Sequence, residues 1–288
     1  MDRTTFESTR RTVDTPSGRI SYVEHGTGPV ALFVHGVLMN GWLWRHQLAG
    51  LSDLRRCIAV DLLAHGATAI DPSRDVSSTA NAAMLVEFLD ALGIDQADVV
   101  GNDSGGGMAL IMAANHGQRL RSLTLTDCDV HDNWPPEAFK GFLAMSAAGG
   151  LRSALESMLG NKPFYRSAEA LGPAYERPEA VSDETIEIYL RPFLTSGERV
   201  RDLERFLAAF DCAQTVAIES RLKTLHVPTL VVWGTDDVYF PVRWSEWLAR
   251  TIPGTRRRVE LPGARLFFPE ERAARCNEEL RAHWNAAG

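Results

Sequence analysis

The stretch VVGNDSGGG, residues 99–107, decides the fold of this 288-residue chain. An apolar segment leads into it, and the apolar run MALIMAANH follows it with helical character. Glycines stand two positions before and two positions after Asp103, which is the spacing of a turn too tight for side chains at the glycine positions. The pattern predicts a buried strand, a sharp turn that presents Asp103, and a helix that begins near Gly105.

Two other interpretations of this stretch are open. A frame shifted by one residue would present Ser104 instead, but Asn102 would then replace the first glycine of the turn. Asp103 could also be an ordinary acidic cap of the following helix. A surface cap does not need the surrounding glycines, so the turn that presents Asp103 is the favoured interpretation.

Further apolar runs end at glycine or aspartate, as in PVALFVHG, CIAVDLLAHG, LRSLTLTDCD, VPTLVVWGTDD and TRRRVELPG. They alternate with helical patterns over residues 30–131 and 227–285, which predicts an α/β fold with a doubly wound, mostly parallel sheet. Residues 12–132 and 225–288 are predicted to form this core. Residues 133–224 show only helical patterns and are predicted to be an inserted helical cap. The first dozen residues are expected to be frayed.

Composition excludes several classes of function. The net charge of −7 argues against a surface for nucleic acid or an anionic membrane. No apolar run approaches the ~20 residues of a membrane span, and the N-terminal segment is polar, so a soluble cytoplasmic protein is expected. The four cysteines are far apart and are expected to be free thiols. The sequence has no phosphate-binding loop and no metal-ligand spacing, so no cofactor and no metal are predicted.

Five segments resemble the α/β-hydrolase superfamily in the right order, and the similarity extends over essentially the whole chain. They are HGVLMNGWLWR (35–45), DLLAHGAT (61–68), GNDSGGG (101–107), WGTDDVYFP (233–241) and PGARLFFPEER (262–272). An aspartate at the turn resembles the branch of haloalkane dehalogenases, fluoroacetate dehalogenases and epoxide hydrolases. That resemblance implies that the Asp103 carboxylate attacks an sp³ carbon and that a histidine-activated water hydrolyses the resulting ester.

A carboxylate suits such chemistry, because it is ionised at neutral pH and attacks an alkyl halide or epoxide without a partner base. The resemblance also implies an oxyanion hole formed by the backbone N–H groups of Val37 and Ser104. Asp237 matches the acid that orients the family histidine. Asp127 lies near the place where some dehalogenases carry this acid instead.

The chain departs from the family at the histidine itself. No histidine occurs between His226 and His283, and Leu266 falls at the family position. Three hypotheses follow. His131 could activate water in place of the missing residue. Asp103 could serve as a base or charge stabiliser in a non-hydrolytic isomerase, lyase or cyclase. The protein could also be a non-enzymatic small-molecule binder.

The expected substrate is a small apolar organic molecule, because the predicted cap is rich in aromatic residues. Four residues are predicted to border it: His35, Trp134, Tyr189 and Leu266. A structural histidine bonded to loop backbone is the alternative for His35. Two residues weaken the dehalogenase resemblance, since Ser104 stands where a halide-binding tryptophan or arginine is usual, and Val37 where asparagine is common. Epoxide hydrolases use paired cap tyrosines, for which Tyr165, Tyr175 and Tyr189 are available.

Overall fold

A single eight-stranded sheet organises the protein, whose structure, a computed structural model, describes residues 1–287. The strands are β1 (Arg10–Thr15), β2 (Gly18–His25), β3 (Val30–Val34), β4 (Arg56–Val60), β5 (Ala97–Asp103), β6 (Leu120–Cys128), β7 (Thr229–Gly234) and β8 (Thr255–Leu261). Their order across the sheet is β1-β2-β4-β3-β5-β6-β7-β8. The pairs β1–β2 and β2–β4 are antiparallel and the others are parallel, which confirms the predicted mostly parallel sheet.

The α-helices are α1 (Arg3–Ser8), α2 (Arg45–Leu51), α3 (Ser78–Ala91), α4 (Ser104–His116), α5 (Lys140–Ala147), α6 (Leu151–Gly160), α7 (Lys162–Tyr165), α8 (Asp183–Leu190), α9 (Gly197–Ala208), α10 (Ala213–Val216), α11 (Glu219–Leu222), α12 (Arg243–Thr251), α13 (Phe268–Glu271) and α14 (Ala273–Ala287). Short 3₁₀ helices occupy Gly41–Trp44, Gly117–Arg119, Glu137–Phe139, Gly172–Ala174, Pro178–Ala180 and Arg191–Leu194. Within residues 1–287, none of the helices is long and apolar enough to cross a membrane.

The direction in which the chain crosses the sheet reverses between β3 and β5. From β3 the chain passes through α2 to β4 on one side, and from β5 it passes through α4 to β6 on the other. Right-handed crossovers therefore place α2 and α4 on opposite faces. A crevice opens at the carboxyl ends of the strands where this reversal occurs, and it is the usual ligand site of such sheets. The loop after β3 and Asp103 at the end of β5 both lie there.

The turn between β5 and α4 is as tight as the sequence predicts. Asp103 has φ 55° and ψ −136°, a conformation that non-glycine residues rarely adopt. A Cβ at Gly105 would lie 2.3 Å from the carbonyl oxygen of His35 and 2.5 Å from that of Val34. The first turn of α4 therefore packs directly against the backbone that follows β3.

Between Cys128 and Thr229, the chain folds into helices and turns with no strand among these described residues. Hydrogen bonds join this helical insertion to the core. Tyr189 donates its hydroxyl hydrogen to Glu270 Oε2 at 2.9 Å, and Arg45 donates to Glu270 Oε1 at 2.7 Å. The Phe267 N–H donates to the Ala174 carbonyl oxygen at 3.1 Å. These contacts fix the insertion above the carboxyl ends of the strands.

The predicted fraying of the first dozen residues was wrong. Asp2 caps α1 by accepting a hydrogen bond from the Thr5 N–H at 2.8 Å. Phe6 is fully buried, and its ring meets that of Trp42 edge to face with the centroids 5.0 Å apart. Burial of one aromatic side chain thus orders a segment whose remaining residues are mostly polar.

We expect Gly105→Ala to destabilise the fold, because the added methyl group would overlap two backbone oxygens that cannot move independently of β3. The expected loss of unfolding free energy is about 3 kcal/mol, the upper end of the usual effect of overpacking. Gly141→Ala is the matched control, since Gly141 lies exposed in α5 and an added methyl group there would have no neighbouring atom within 4 Å. It should be neutral or stabilising by up to ~1 kcal/mol. Urea unfolding of both variants measures the difference, and equal stability would contradict the packing described.

Candidate active site

Asp103 presents its carboxylate to the backbone of the loop after β3. The Val37 N–H donates to Asp103 Oδ2 at 3.0 Å, and the Ser104 N–H also hydrogen-bonds to this carboxylate. Both groups are the ones that the sequence resemblance implies as an oxyanion hole. Backbone donors thereby hold this carboxylate at the switch point of the sheet.

Gly36 makes this approach possible. A Cβ at this position would lie 2.1 Å from Asp103 Oδ2, which is inside the volume of that atom. Any side chain at position 36 would therefore push the carboxylate away from the Val37 N–H. Glycine at position 36 is thus required by steric contact with Asp103.

The two acids that the sequence offers for one role lie side by side. Asp127 accepts hydrogen bonds from the Gly234 N–H at 2.9 and 3.1 Å, and its carboxyl group lies against that of Asp237. Asp237 Oδ1 accepts from the N–H groups of Tyr239 and Phe240 at 2.7 and 3.2 Å. Asp237 Oδ2 is buried and accepts no N–H donor among the described residues. A proton shared between the two carboxyl groups would give this oxygen a partner.

Leu266 borders the same region from the loop after β8. Its backbone oxygen accepts a hydrogen bond from Asn102 Nδ2 at 3.0 Å, so the turn that presents Asp103 also fixes this loop. The Leu266 side chain lines the cavity next to Asp103. An apolar group therefore occupies the place to which the sequence alignment assigns the family histidine, and it cannot hydrogen-bond Asp237.

A small, mostly apolar cavity of about 20 Å³ adjoins Asp103. Both the core and the helical insertion contribute to its wall. The lining residues are Val37, Leu38, Asp103, Asp129, Pro136, Phe139, Leu171, Ala174, Phe210, Tyr239, Phe240, Leu266 and Phe267. Asp103 and Asp129 contribute the carboxyl groups of this wall, and most of the other lining side chains are apolar. A wall of this kind suits a small apolar ligand.

Asp129 is the acidic residue of this wall that the sequence analysis did not predict. It is buried, and its Oδ1 has no hydrogen-bond partner in the part of the chain that the structure describes. The segment DCDVHD holds three aspartates in six residues, and their spacing does not indicate which one faces a ligand. The one indication in the sequence is that Asp129 follows a buried strand predicted to lie beside the strand that ends at Asp103.

Burial controls the ionisation of these carboxyl groups. Loss of hydration raises the pKa of Asp103 to about 7, against the hydrogen bonds from Val37 and Ser104 that stabilise its charged form. Burial also raises the pKa of Asp237, and the charge of Arg265 opposes that shift. The pKa values of Asp127 and Asp129 lie well above the ordinary range, again chiefly through burial. These carboxyl groups therefore bind protons more tightly than exposed aspartates do.

The structure places His131 outside the cavity wall. Its Nε2 lies 3.1 Å from Glu219 Oε2, and its ring lies beside that of Trp247 with the centroids 5.0 Å apart. An imidazole held in this way faces α11 and α12. This position does not support the predicted role of His131 as the base.

Four other predicted site residues have mixed outcomes. Leu266 lines the cavity, but His35, Trp134 and Tyr189 do not. His35 Nδ1 lies 2.8 Å from the Gly36 carbonyl oxygen and its Nε2 accepts from the Leu62 N–H at 3.1 Å, so it is the structural histidine of the alternative interpretation. Trp134 packs behind the wall against Phe210, and Tyr189 bonds Glu270.

The remaining alternatives concern Ser104 and the tyrosine pair. The Ser104 side chain is buried in the first turn of α4 and is not part of the cavity wall, which does not support the shifted frame. Tyr165 and Tyr175 bond each other through their hydroxyl groups at 3.1 Å behind the wall. Within residues 1–287 no group of three or more histidine, cysteine, aspartate or glutamate side chains is arranged to hold a metal ion.

Comparison with known proteins finds several hydrolases that are similar to this chain. Haloalkane dehalogenase 2 of Mycobacterium tuberculosis is 29% identical over 270 residues, which cover 92% of this chain and 91% of that protein. The 2-hydroxymuconate semialdehyde hydrolase of Pseudomonas sp. is 29% identical over 242 residues, covering 78% and 74%. The solved structure of epoxide hydrolase CorEH superposes with a TM-score of 0.80 at 19% identity, covering 97% of this chain and 99% of that one, and shows a shared fold.

The family described as the alpha/beta hydrolase fold matches residues 29–272, which include β3, the Asp103 turn and the Leu266 loop. The fold that the resemblance implies is therefore confirmed. This chain belongs to the α/β-hydrolase fold family.

Proposed function

We propose that the protein is a hydrolase-like enzyme in which Asp103 attacks an sp³ carbon of a small apolar substrate. The observation that supports this proposal most directly is the hydrogen bond from the Val37 N–H to Asp103 Oδ2. One carboxylate oxygen is held in place while the carboxylate borders the cavity, which leaves the other oxygen to attack. A serine in this place would first need a base to remove its proton.

The attack forms a bond between Asp103 Oδ1 and the substrate carbon, and the leaving group departs with the electron pair of its bond to that carbon. The product is an ester in which Oδ2 becomes the carbonyl oxygen. When water later adds to this ester, negative charge develops on Oδ2. The Val37 N–H already donates to that atom, and the Ser104 N–H hydrogen-bonds the same carboxylate, so two backbone donors are in place to stabilise this charge.

The helical insertion acts in this proposal as a cap. Phe139, Leu171 and Phe210 bring apolar surface over Asp103 and keep bulk water from the carboxylate. Desolvation strengthens a charged nucleophile, because fewer water molecules must be removed before it reacts. The names of the relatives, a haloalkane dehalogenase and a semialdehyde hydrolase, support a small organic substrate.

A second candidate is a non-hydrolytic reaction of the isomerase, lyase or cyclase type. Leu266 favours it, because an apolar side chain at the position aligned with the family histidine, in the wall beside Asp103, removes the usual base for ester hydrolysis. In that case Asp103 would only accept and return a proton, for which a pKa raised by burial to about 7 is well suited.

Labelled water separates the two candidates. In a single turnover with enzyme in excess, nucleophilic attack predicts that heavy oxygen from water enters the Asp103 carboxylate, since water attacks the ester carbonyl carbon. Mass spectrometry of the peptide that contains Asp103 detects the label. Asp103→Asn should form neither adduct nor product from a panel of epoxides and alkyl halides, while Asp236→Asn, an exposed neighbour of Asp237, should react like wild type. Label found in the product alone would contradict nucleophilic attack by Asp103.

The rate of attack by Asp103 should fall with decreasing pH already near neutrality, well above the pH at which an exposed aspartate is protonated. Burial raises the pKa of Asp103 to about 7, so its carboxyl group becomes neutral and unreactive below that pH. The rate of adduct formation with an alkyl halide should rise about tenfold per pH unit up to pH ~7 and level off above it. Intact-protein mass measurement on samples quenched at successive times gives this rate. A rate that falls only near the ordinary aspartate pKa of ~4 would show that Asp103 is charged throughout the neutral range.

Leu266→His should restore a water-activating base. An imidazole at this position would border Asp103 in the cavity and stand where the family histidine is expected to meet its acid, and general-base catalysis contributes about a hundredfold or more to such a step. The decay of a preformed ester adduct measures the gain. Leu266→Gln is the matched control, since it is polar and similar in size but is no base. Adding Asp237→Asn to Leu266→His should remove most of the gain, and an unchanged decay rate in Leu266→His would show that the imidazole does not reach the ester.

A further inference from the structure

The proposed attack by Asp103 leaves Asp129 without a function, although this residue has the features of a reactive group. Only 1% of its surface is exposed, and its Oδ1 has no hydrogen-bond partner among the described residues. An ionised carboxylate buried in this way would lose its hydrating water, and no hydrogen bond to its Oδ1 would offset the cost. A carboxylic acid costs less to bury, and its proton then needs an acceptor. The cavity beside it is where such an acceptor would bind.

The fold holds Asp129 next to Asp103 with little freedom. The Asp129 N–H donates to the Asp103 carbonyl oxygen at 3.3 Å, and Asp103 pairs with Cys128 where β5 and β6 end. A Cβ at Gly107 in α4 would lie 3.0 Å from Asp129 Cβ, so the helix closes the space behind the side chain. Asp103 and Asp129 therefore face one cavity from adjacent strand ends.

We propose that Asp129 is the proton carrier of this cavity and that the substrate is an epoxide. This inference rests on the proposed function, because it needs Asp103 as the nucleophile. Asp129 gives its proton to the ring oxygen during attack and takes a proton from water during hydrolysis of the ester.

The opening step conserves atoms and charge. Asp103 Oδ1 forms a bond to one ring carbon, and the bond from that carbon to the ring oxygen breaks with its electron pair on oxygen. The Asp129 proton moves to this oxygen. The products are a hydroxyalkyl ester of Asp103 and an ionised Asp129, and the total charge is unchanged.

Electrostatics then converts Asp129 from an acid into a base. The charge of Asp103 is one of the causes that raise the pKa of Asp129, and esterification removes that charge. Ionised Asp129 takes a proton from water as the oxygen of that water bonds to the ester carbonyl carbon. The intermediate expels the substrate alkoxide, which takes the proton of the newly formed Asp103 acid. A diol leaves, and both aspartates return to their starting states. Paired carboxyl groups of retaining glycosidases alternate in the same way.

The surroundings favour an epoxide over an alkyl halide. A halide ion would be expelled into a cavity lined by two acidic residues, and the wall includes no arginine, lysine or tryptophan among the described residues. An unpaired anion is costly in an apolar enclosure. The oxygen of an opened epoxide stays attached to carbon and becomes neutral as soon as it is protonated, so it needs a proton donor.

Two classes of probe separate the roles of the two aspartates. An alkyl halide needs attack by Asp103 but no proton donor, whereas an epoxide needs both. Asp129→Asn should lose about a hundredfold more of its rate with terminal and aryl-substituted epoxides than of its rate of alkyl-halide adduct formation, and it should hydrolyse the adduct more slowly than wild type. Asp132→Asn is the matched control, since its side chain is 65% exposed, and it should behave like wild type. Asp129→Ala removes the buried polar group altogether and serves as a second variant if Asp129→Asn folds poorly.

Three results would overturn the assignment of Asp129. They are epoxide opening at the wild-type rate in folded Asp129→Asn, loss of epoxide opening in Tyr239→Phe but not in Asp129→Asn, and failure of the wild type to open any epoxide while it forms halide adducts. A different result identifies failure of the proposed function itself. If Asp103→Asn keeps epoxide turnover and wild type forms no adduct, Asp103 is not the nucleophile and both proposals fail.

Discussion

The hydrogen bond from the Val37 N–H to Asp103 Oδ2 is the interaction on which the site depends. It joins the loop after β3 to the turn after β5, the two chain segments on either side of the point where the sheet reverses direction. Gly36 and Gly105 are both needed for the approach, because a Cβ at either position would overlap an atom of the other segment. The strained backbone of Asp103 is maintained by this close packing, as is common where a fold holds a reactive group.

A second constraint is electrostatic. The carboxyl ends of β5, β6 and β7 bring Asp103, Asp127, Asp129 and Asp237 to one buried edge. Parallel strands make such convergence possible, since residues distant in sequence emerge side by side. Burial raises the pKa values of all four carboxyl groups, and repulsion between neighbouring carboxylates adds to the shift for Asp103, Asp127 and Asp129. The cluster of four aspartates thus results from the order of the parallel strands in the sheet.

Much of the fold could be predicted from sequence, because strands buried on both faces appear as continuous apolar runs and the glycines of the Asp103 turn report a local steric requirement. The order at the N-terminus could not, since it depends on the contact between Phe6 and Trp42. Within the site, Asp103, Val37 and Leu266 were predicted by motif and position. Asp129 and the contact of Asp127 with Asp237 were not, because they depend on which side chains meet after folding. The positions of His131 and Tyr189 were set by partners on other elements, Glu219 and Glu270.

The bond from Asn102 to the Leu266 carbonyl oxygen separates the placement of a loop from the identity of its side chain. This bond holds a main-chain atom of residue 266, so it does not depend on the side chain at that position. A polar side chain in place of Leu266 would add a proton acceptor to the cavity wall, while the hydrogen bond from Asn102 would still hold the loop. Because Asn102 holds the backbone of residue 266, a substitution there would change the group that the cavity offers without moving the loop.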